Sequence, residues 1–255
     1  MNPPLNILAP GPWDTFVPFS GFHALVLAIC LVAIAAPMLL GRTLSEQGDA
    51  VLRRIIAAVA LAYWVAYNIW WNRHGIDWTG GLPLHICDFN GLIAPLALLT
   101  RWRWLRATLY FWTAALTLQA FIQPALSLGP ASMVFWAFWI GHSLIAICAV
   151  YDVVVLGFRP SWGDFGRAVA VSLIYVAFVV PIDLLLGANY GFVGNPADIN
   201  EVPPFINALG PWPQRAIILV ALVPLGFLIV LAPWLIAYRL SPLPAARGEA
   251  GLQAK

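Results

Sequence analysis

The stretch FHALVLAICLVAIAAPMLL, residues 22–40, decides the class of fold, because it contains no Asp, Glu, Lys or Arg. About 20 apolar residues in a helix cross the roughly 30 Å of hydrocarbon in a bilayer. The chain has 255 residues, 62% of them hydrophobic, which is more apolar surface than a soluble core of this length buries. We predict an all-α, polytopic membrane protein with seven transmembrane helices. The other six predicted spans are residues 55–71, 82–99, 107–123, 132–156, 168–187 and 216–238.

The basic residues indicate the orientation of these spans. Eleven of the 13 Lys and Arg residues fall in the loops 41–54, 101–106 and 157–167 or after the last span. Cytoplasmic loops of membrane proteins carry such an excess of positive charge. We therefore expect the N-terminus outside and the C-terminus in the cytoplasm. The domain prediction is one transmembrane domain, residues 1–240, followed by a disordered cytoplasmic tail, residues 241–255.

Several classes of function lack their sequence signatures. No basic patch is interleaved with aromatic residues, so no nucleic-acid partner is expected. Lys255 is the only lysine, which leaves no Schiff-base lysine within a span and excludes a retinal opsin. Zinc-ligand spacing, Gly-x-Ser-x-Gly and the P-loop are all missing from the sequence. No metal and no diffusible cofactor is therefore expected.

The three cysteines are too few for a disulfide framework, and their settings differ. Cys30 and Cys148 lie within apolar runs, where a buried cysteine behaves as a small hydrophobe. Cys87 instead belongs to the run Leu-Pro-Leu-His-Ile-Cys-Asp, residues 82–88, at the outer end of the third predicted span. Ionisable side chains are costly in hydrocarbon and usually functional there. Cys87 is therefore the first candidate for chemistry.

Polar residues of the spans fall almost entirely in the outer half of the membrane under this orientation. The inner half holds mainly Asp152, which we expect to be solvated near the cytoplasm. The long outer connection, residues 188–213, is rich in Pro, Gly and Asn and is placed to cap the polar region. We predict one polar cavity that opens outward, although each polar residue taken singly is also explained by hydrogen bonds between helices. The set comprises Asn68, His85, Cys87, Asp88, Asn90, Gln119, Gln123, His142, Asp183, Asn189 and Tyr190.

Helical spacing separates the polar residues of the third span. His85 and Asp88 are three residues apart and share a face, so Asp88 is placed to orient His85. Cys87 is turned about 200° from His85 if this turn is helical. A thiol needs a base to become the reactive thiolate. We therefore expect the base to come from another helix, where His142 is the candidate.

Five short motifs resemble those of a known group of membrane proteins. They are L-P-L-H-I-C-D at 82–88, L-T-L-Q-A-F-I-Q-P at 116–124, G-H-S at 141–143, G-A-N-Y-G-F at 187–192 and L-G-P-W-P at 209–213. In this order they resemble the YwaF-type integral membrane proteins, a bacterial group related to the eukaryotic transmembrane protein 164 acyltransferases. The resemblance covers most of the chain, and it implies a multi-pass protein of the bacterial plasma membrane.

The resemblance also implies a function. The eukaryotic relatives are similar to thiol-dependent enzymes that move a fatty acyl chain between phospholipids. Carried over to the matching motifs, Cys87 becomes the nucleophile and His142 the base, with membrane lipids as substrates. Our leading hypothesis is a phospholipid acyltransferase with an acyl-cysteine intermediate. The rival hypotheses are a transporter or ligand-binding protein that uses the same cavity, and a purely structural subunit. The oligomeric state is left open.

Overall fold

The computed structural model describes residues 11, 13–196 and 204–240, which form helices and connections without a β-strand. The predicted disordered tail, residues 241–255, lies outside the described residues. In chain order the elements are α1 (Gly21–Thr43), α2 (Glu46–Trp71), α3 (Ile86–Thr100), α4 (Arg103–Trp112), a π-helical turn (Thr113–Thr117), α5 (Gln119–Ile122), α6 (Met133–Val154), α7 (Trp162–Leu186), a 3₁₀ turn (Tyr190–Phe192), α8 (Pro204–Asn207) and α9 (Gln214–Leu240).

Each of the seven predicted spans contains helix, which confirms the all-α prediction for the described residues. Five helices, α1, α2, α6, α7 and α9, are long and apolar enough to cross a membrane. The other two predicted spans are shorter as single helices. α3 is an apolar helix of 15 residues, and the fourth span is divided among α4, the π-helical turn and α5. The chain is therefore a multi-pass membrane protein with five helices of spanning length in its described part.

The third predicted span, residues 82–99, begins with a segment that is not helical, because α3 begins at Ile86. His85 precedes the helix and has extended backbone angles, with φ −67° and ψ 154°. Pro83 disfavours a helical conformation for the residue before it. The Asp88 carboxylate accepts a hydrogen bond from the His85 backbone N–H at 3.2 Å, which closes the first turn. His85 thus lies outside the helix, and the spacing argument does not apply to its side chain.

The fourth predicted span, residues 107–123, is interrupted at its centre by the π-helical turn. Asn90 of α3 is fully buried beside it. The side-chain amide of Asn90 donates hydrogen bonds to the hydroxyls of Thr113 at 3.0 Å and Thr117 at 3.1 Å. The wider π-helical turn brings both hydroxyls to one amide group, and such turns are frequently found at functional sites. Hydropathy alone does not report such a break, since the whole segment is apolar.

Small residues allow α2, α3 and α6 to approach closely. A Cβ at Gly91 would lie 3.0 Å from the Trp64 ring, and one at Gly141 would lie 3.2 Å from the Tyr63 ring. The Tyr63 hydroxyl donates to the Ala137 carbonyl at 2.6 Å, which joins α2 to α6. Close contacts at small residues are typical of membrane helix bundles. The buried alanines of the same contact are Ala57, Ala60, Ala94 and Ala97.

The end of the bundle opposite the start of α3 contains ion pairs whose carboxylates are buried. Asp164 pairs with Arg103 at 2.6 Å and with Arg167 at 3.0 Å. Asp152 is 2% exposed and pairs with the buried Arg106 at 3.0 Å. The expectation that Asp152 is solvated is therefore wrong. The sequence assigned Arg106 to a loop, whereas its guanidinium lies inside the bundle and supplies the counter-charge that a buried carboxylate needs.

Candidate active site

A cavity of about 520 Å³ lies between α2, α3, α5, α6 and α9, and Cys87 and His142 both line it. Ligand pockets in proteins typically measure roughly 300–1,000 Å³. Gly191, Phe192 and Ile206 of the 188–213 connection also line the cavity, so the described part of this connection contributes to its wall. Aromatic and aliphatic side chains make up most of the wall. The cavity therefore offers an apolar volume with a few polar groups.

The predicted polar residues divide into two groups. Asn90, Asp183, Asn189 and Tyr190 do not line the cavity, and all four are buried in the surrounding structure. The residues that the cavity brings together are Asn68, His85, Cys87, Asp88, Gln119, Gln123 and His142. Most of the predicted polar residues thus line one cavity. The other four are buried in the structure that surrounds it.

Cys87 is the second residue of α3 and is half-buried at the cavity wall. The first backbone N–H groups of a helix have no partner within the helix and give its N-terminus a partial positive charge. A negatively charged sulfur is stabilised at such a position. Cys30 and Cys148 are 6% and 0% exposed within apolar clusters. The described cysteines therefore differ in setting as the sequence predicts.

His142 has a ring orientation suited to accepting a proton. Its Nδ1 lies 2.7 Å from the Phe138 carbonyl oxygen, which only accepts hydrogen bonds, so Nδ1 carries the proton. The Nε2 lone pair of the neutral ring is then available. The ring packs against Phe138 with centroids 4.3 Å apart. Among the described residues, no hydrogen bond joins the Cys87 sulfur directly to the His142 ring. Catalytic hydrogen bonds are often long before substrate binds.

Three hydrogen bonds hold the non-helical segment before α3, residues 82–85, in place. The Tyr190 hydroxyl accepts from the Leu82 N–H at 3.1 Å. The Tyr175 hydroxyl donates to the Leu84 carbonyl at 2.8 Å, and the Gly191 N–H donates to Nδ1 of His85 at 3.3 Å. These bonds determine where α3 begins and therefore where Cys87 lies. His85 is engaged through its ring with the connection, and its backbone N–H, not its ring, bonds to Asp88.

Asp183 supports this arrangement from outside the cavity. It is fully buried, and its carboxylate accepts a hydrogen bond from the Tyr190 N–H at 2.8 Å. The Tyr190 hydroxyl in turn donates to the Trp78 carbonyl at 3.1 Å. Gly191 follows with φ +63°, and a Cβ there would collide with the Tyr175 hydroxyl, so a larger residue is excluded. Asp183 and Tyr190 are therefore structural supports of the site.

Residues 18–231 match the TMEM164 family, and this range includes every residue named at the cavity. The chain belongs to the TMEM164 family. The relation expected from the five motifs is thus confirmed, while the YwaF-type grouping stays a prediction. Neither a curated protein nor a solved structure matches the chain. In this member of the TMEM164 family, no group of three or more His, Cys, Asp or Glu residues in the described ranges is arranged to hold a metal ion.

Sequence reasoning missed the aromatic wall of this TMEM164-family site. Tyr63, Trp64, Tyr67 and Trp71 of α2 all line the cavity. Aromatic residues near the ends of spans usually mark the membrane interface, so their presence alone does not indicate a cavity. The available signal was the spacing of 63, 67 and 71, which places three rings on one helical stripe.

Proposed function

We propose that the protein is a membrane phospholipid acyltransferase in which Cys87 is the nucleophile and His142 the base. The observation that carries this proposal is that two side chains from different helices, one at a helix N-terminus and one with a free Nε2, line the same cavity. Acyl transfer through a thiolate requires this pair of residue types. The resemblance to thiol-dependent acyltransferases supports the same two roles.

The proposed reaction proceeds in two steps. His142 takes the Cys87 proton, and the thiolate attacks the carbonyl carbon of a phospholipid ester. The bond from that carbon to the glycerol oxygen breaks, and His142 returns the proton to the departing alkoxide. In the second step Nε2 takes a proton from a lysolipid hydroxyl, whose oxygen attacks the acyl-cysteine. The thioester bond breaks, the new ester leaves, and the proton returns to the sulfur.

The shape and chemistry of the cavity favour a lipid over a small polar solute. Leu116, Val176, Val220 and Val223 add aliphatic groups to the lining that Cys87 and His142 share. Burial of a fatty acyl chain against such a surface is favourable by about 0.8 kcal/mol per methylene. A transporter for a polar solute would be expected to surround its ligand with more hydrogen-bonding groups.

We also propose that the protein has seven spans, with the N-terminus outside and the C-terminus in the cytoplasm of a bacterial plasma membrane. The 15 residues of α3 extend about 22 Å, and the non-helical residues 82–85 lengthen this apolar stretch before the helix begins. Residues 103–122 reach about 30 Å if counted at helical rise. This second length suffices for a bilayer core of roughly 30 Å.

The test is acyl transfer by the purified protein in liposomes, using a phospholipid donor with an alkyne-tagged acyl chain and a lysolipid acceptor. Cys87→Ala is expected to abolish transfer, and His142→Ala to slow it about 10²–10⁴-fold. Cys30→Ala is the matched control and should retain transfer, because Cys30 lies in an apolar cluster away from the cavity. Acyl transfer by the Cys87→Ala variant at the wild-type rate would refute the mechanism. Solute uptake that is unchanged in this variant would favour a transporter.

A further inference from the structure

Two half-buried arginines, Arg53 of α2 and Arg101 directly after α3, lie at the end of the bundle that contains the ion pairs. Neither belongs to an ion pair in the described part of the chain. Their Nε atoms are buried, and no described group accepts a hydrogen bond from them. A buried donor without an acceptor costs free energy, and a bound anion is one group that removes this cost. These two guanidinium groups are therefore candidates for an anion site.

The charges around Arg101 leave an excess of positive charge. Burial and the guanidinium groups of Arg106 and Arg53 lower the pKa of Arg101, and the carboxylates of Asp152 and Asp49 offset only part of this effect. An arginine nevertheless stays protonated in a protein. Three arginines thus face two carboxylates, which leaves one positive charge uncompensated. The group is suited to an occupant that brings a negative charge.

Both carboxylates of this group have another partner. Asp152 pairs with Arg106 at 3.0 Å. Asp49 lies four residues before Arg53 in α2, a spacing at which a carboxylate and an arginine can pair. Asp49 instead accepts a hydrogen bond from the Tyr151 hydroxyl of α6. The charge of Arg53 therefore stays available at a point where α2 and α6 meet.

The backbone at Arg101 supports a role for its side chain. Arg101 ends α3 in the left-handed conformation, with φ 56° and ψ 20°, and its N–H donates to the Ala97 carbonyl. Glycine is the residue that this conformation favours at the end of a helix, and any residue with a Cβ is strained there. An arginine at such a position indicates that its side chain has a use beyond ending the helix.

The position of the two arginines favours a lipid over a soluble anion. Trp102 and Trp104, which follow Arg101, are exposed, and tryptophans at this kind of position mark the level of lipid headgroups. Arg53 lies about 10 Å along the axis of α2 from its start at Glu46. It is therefore nearer the lipid phosphates than the open solvent. Basic pockets between transmembrane helices on the cytoplasmic side bind lipid headgroups.

We infer that Arg53 and Arg101 bind the phosphate group of an anionic phospholipid, on the side of the membrane that we propose to be cytoplasmic. Guanidinium groups donate to phosphate oxygens in a planar, two-bonded geometry. A zwitterionic phospholipid is disfavoured because it brings its own ammonium group beside these cations. The site is separate from the cavity, since neither arginine is among the described lining residues. About 22 Å of α3 lies between Arg101 and the end of that helix where Cys87 stands.

The test measures the affinity of the full-length protein in detergent for phosphatidylglycerol and for phosphatidylcholine with identical acyl chains, by native mass spectrometry. The double variant Arg53→Gln, Arg101→Gly is expected to bind phosphatidylglycerol about tenfold or more weakly than wild type, because two guanidinium groups are removed. Its affinity for phosphatidylcholine should not change. Unchanged binding of phosphatidylglycerol, or an equal loss for both lipids, would overturn the inference. Displacement of phosphatidylglycerol by inorganic phosphate at the same concentration would overturn the assignment to a lipid.

Arg54→Gln is the matched control for the loss of charge. Arg54 is next to Arg53 in α2 and carries the same charge, but it is exposed. The control should leave the affinity for phosphatidylglycerol nearly unchanged, whereas Arg53→Gln alone should lower it about threefold or more. An equal loss in Arg54→Gln and Arg53→Gln would mean that general surface charge attracts the lipid, and it would overturn the site.

Arg101→Gly separates lipid binding from folding. The change removes the guanidinium group and places glycine at the left-handed position, so the melting temperature without added lipid should not fall. Phosphatidylglycerol should raise the melting temperature of the wild-type protein, because a ligand that binds only the folded state stabilises it. The double variant should lose this increase. An increase in the double variant as large as that in wild type would overturn the inference.

Discussion

Tyr190→Phe tests whether the hydrogen bonds behind the cavity determine the start of α3. The change removes a hydroxyl that accepts from the Leu82 N–H and donates to the Trp78 carbonyl, each at 3.1 Å. Each bond is worth about 1 kcal/mol net, so the segment at residues 82–85 should lose about 2 kcal/mol of local stability. The ring itself is retained, and its packing should change little.

Hydrogen–deuterium exchange of the 82–88 segment measures this loss directly. A reduction of about 1–2 kcal/mol in local opening free energy raises the exchange rate about 5–30-fold. The rate of acyl transfer should fall as this local stability is lost, because the position of Cys87 depends on the segment.

Tyr110→Phe is a matched control for the same chemical change. The Tyr110 hydroxyl donates to the Val230 carbonyl at 2.8 Å and accepts from the Trp234 indole N–H at 2.7 Å. Global stability should fall by a similar amount, whereas exchange of the 82–88 segment should rise no more than elsewhere. Unchanged exchange in Tyr190→Phe, or the same local increase in both variants, would refute the proposed support.

Three further outcomes are expected. Gly191→Ala should lower the unfolding free energy by more than about 1 kcal/mol, because φ is +63° and the added Cβ would collide with the Tyr175 hydroxyl. Gly166→Ala in α7 is the control and should be neutral or stabilising, because a Cβ there meets open space. Thermal denaturation of both variants measures the difference. A small alkylating reagent should label Cys87 well before the two buried cysteines, and peptide mapping that finds equal labelling would contradict the site. A reporter after the end of α9 should read cytoplasmic and one within 195–201 external, and the reverse pattern would contradict the orientation.

Much of the fold could be predicted because apolar length is a strong signal. The helices α1, α2, α6, α7 and α9 follow directly from stretches long enough for a bilayer. The start of α3 could not be predicted this way, since hydropathy does not distinguish a non-helical apolar segment from a helical one. At the break in the fourth span, the amide of Asn90 donates hydrogen bonds to two threonines of another element. Contacts of that kind are tertiary and do not appear in a local pattern.

Part of the candidate site could also be predicted from the sequence. Polar groups in an apolar sequence stand out, and seven of the predicted residues do line one cavity. Their individual roles depended on backbone geometry. Asp88 reaches the backbone N–H of His85 and not its ring, and Asp183 supports Tyr190 from behind the cavity. The aromatic residues of α2 could not be assigned to the cavity from composition, because an interfacial belt has the same composition.

The most direct measurement of the central claim is peptide mass spectrometry of the protein after incubation with a donor phospholipid and no acceptor. The account predicts a fatty acyl group on Cys87 that is released by hydroxylamine, that transfers when lysolipid is added, and that forms far more slowly in His142→Ala. Turnover of the donor with an unmodified Cys87 thiol, or an acyl group found on Cys30 or Cys148 instead, would contradict it.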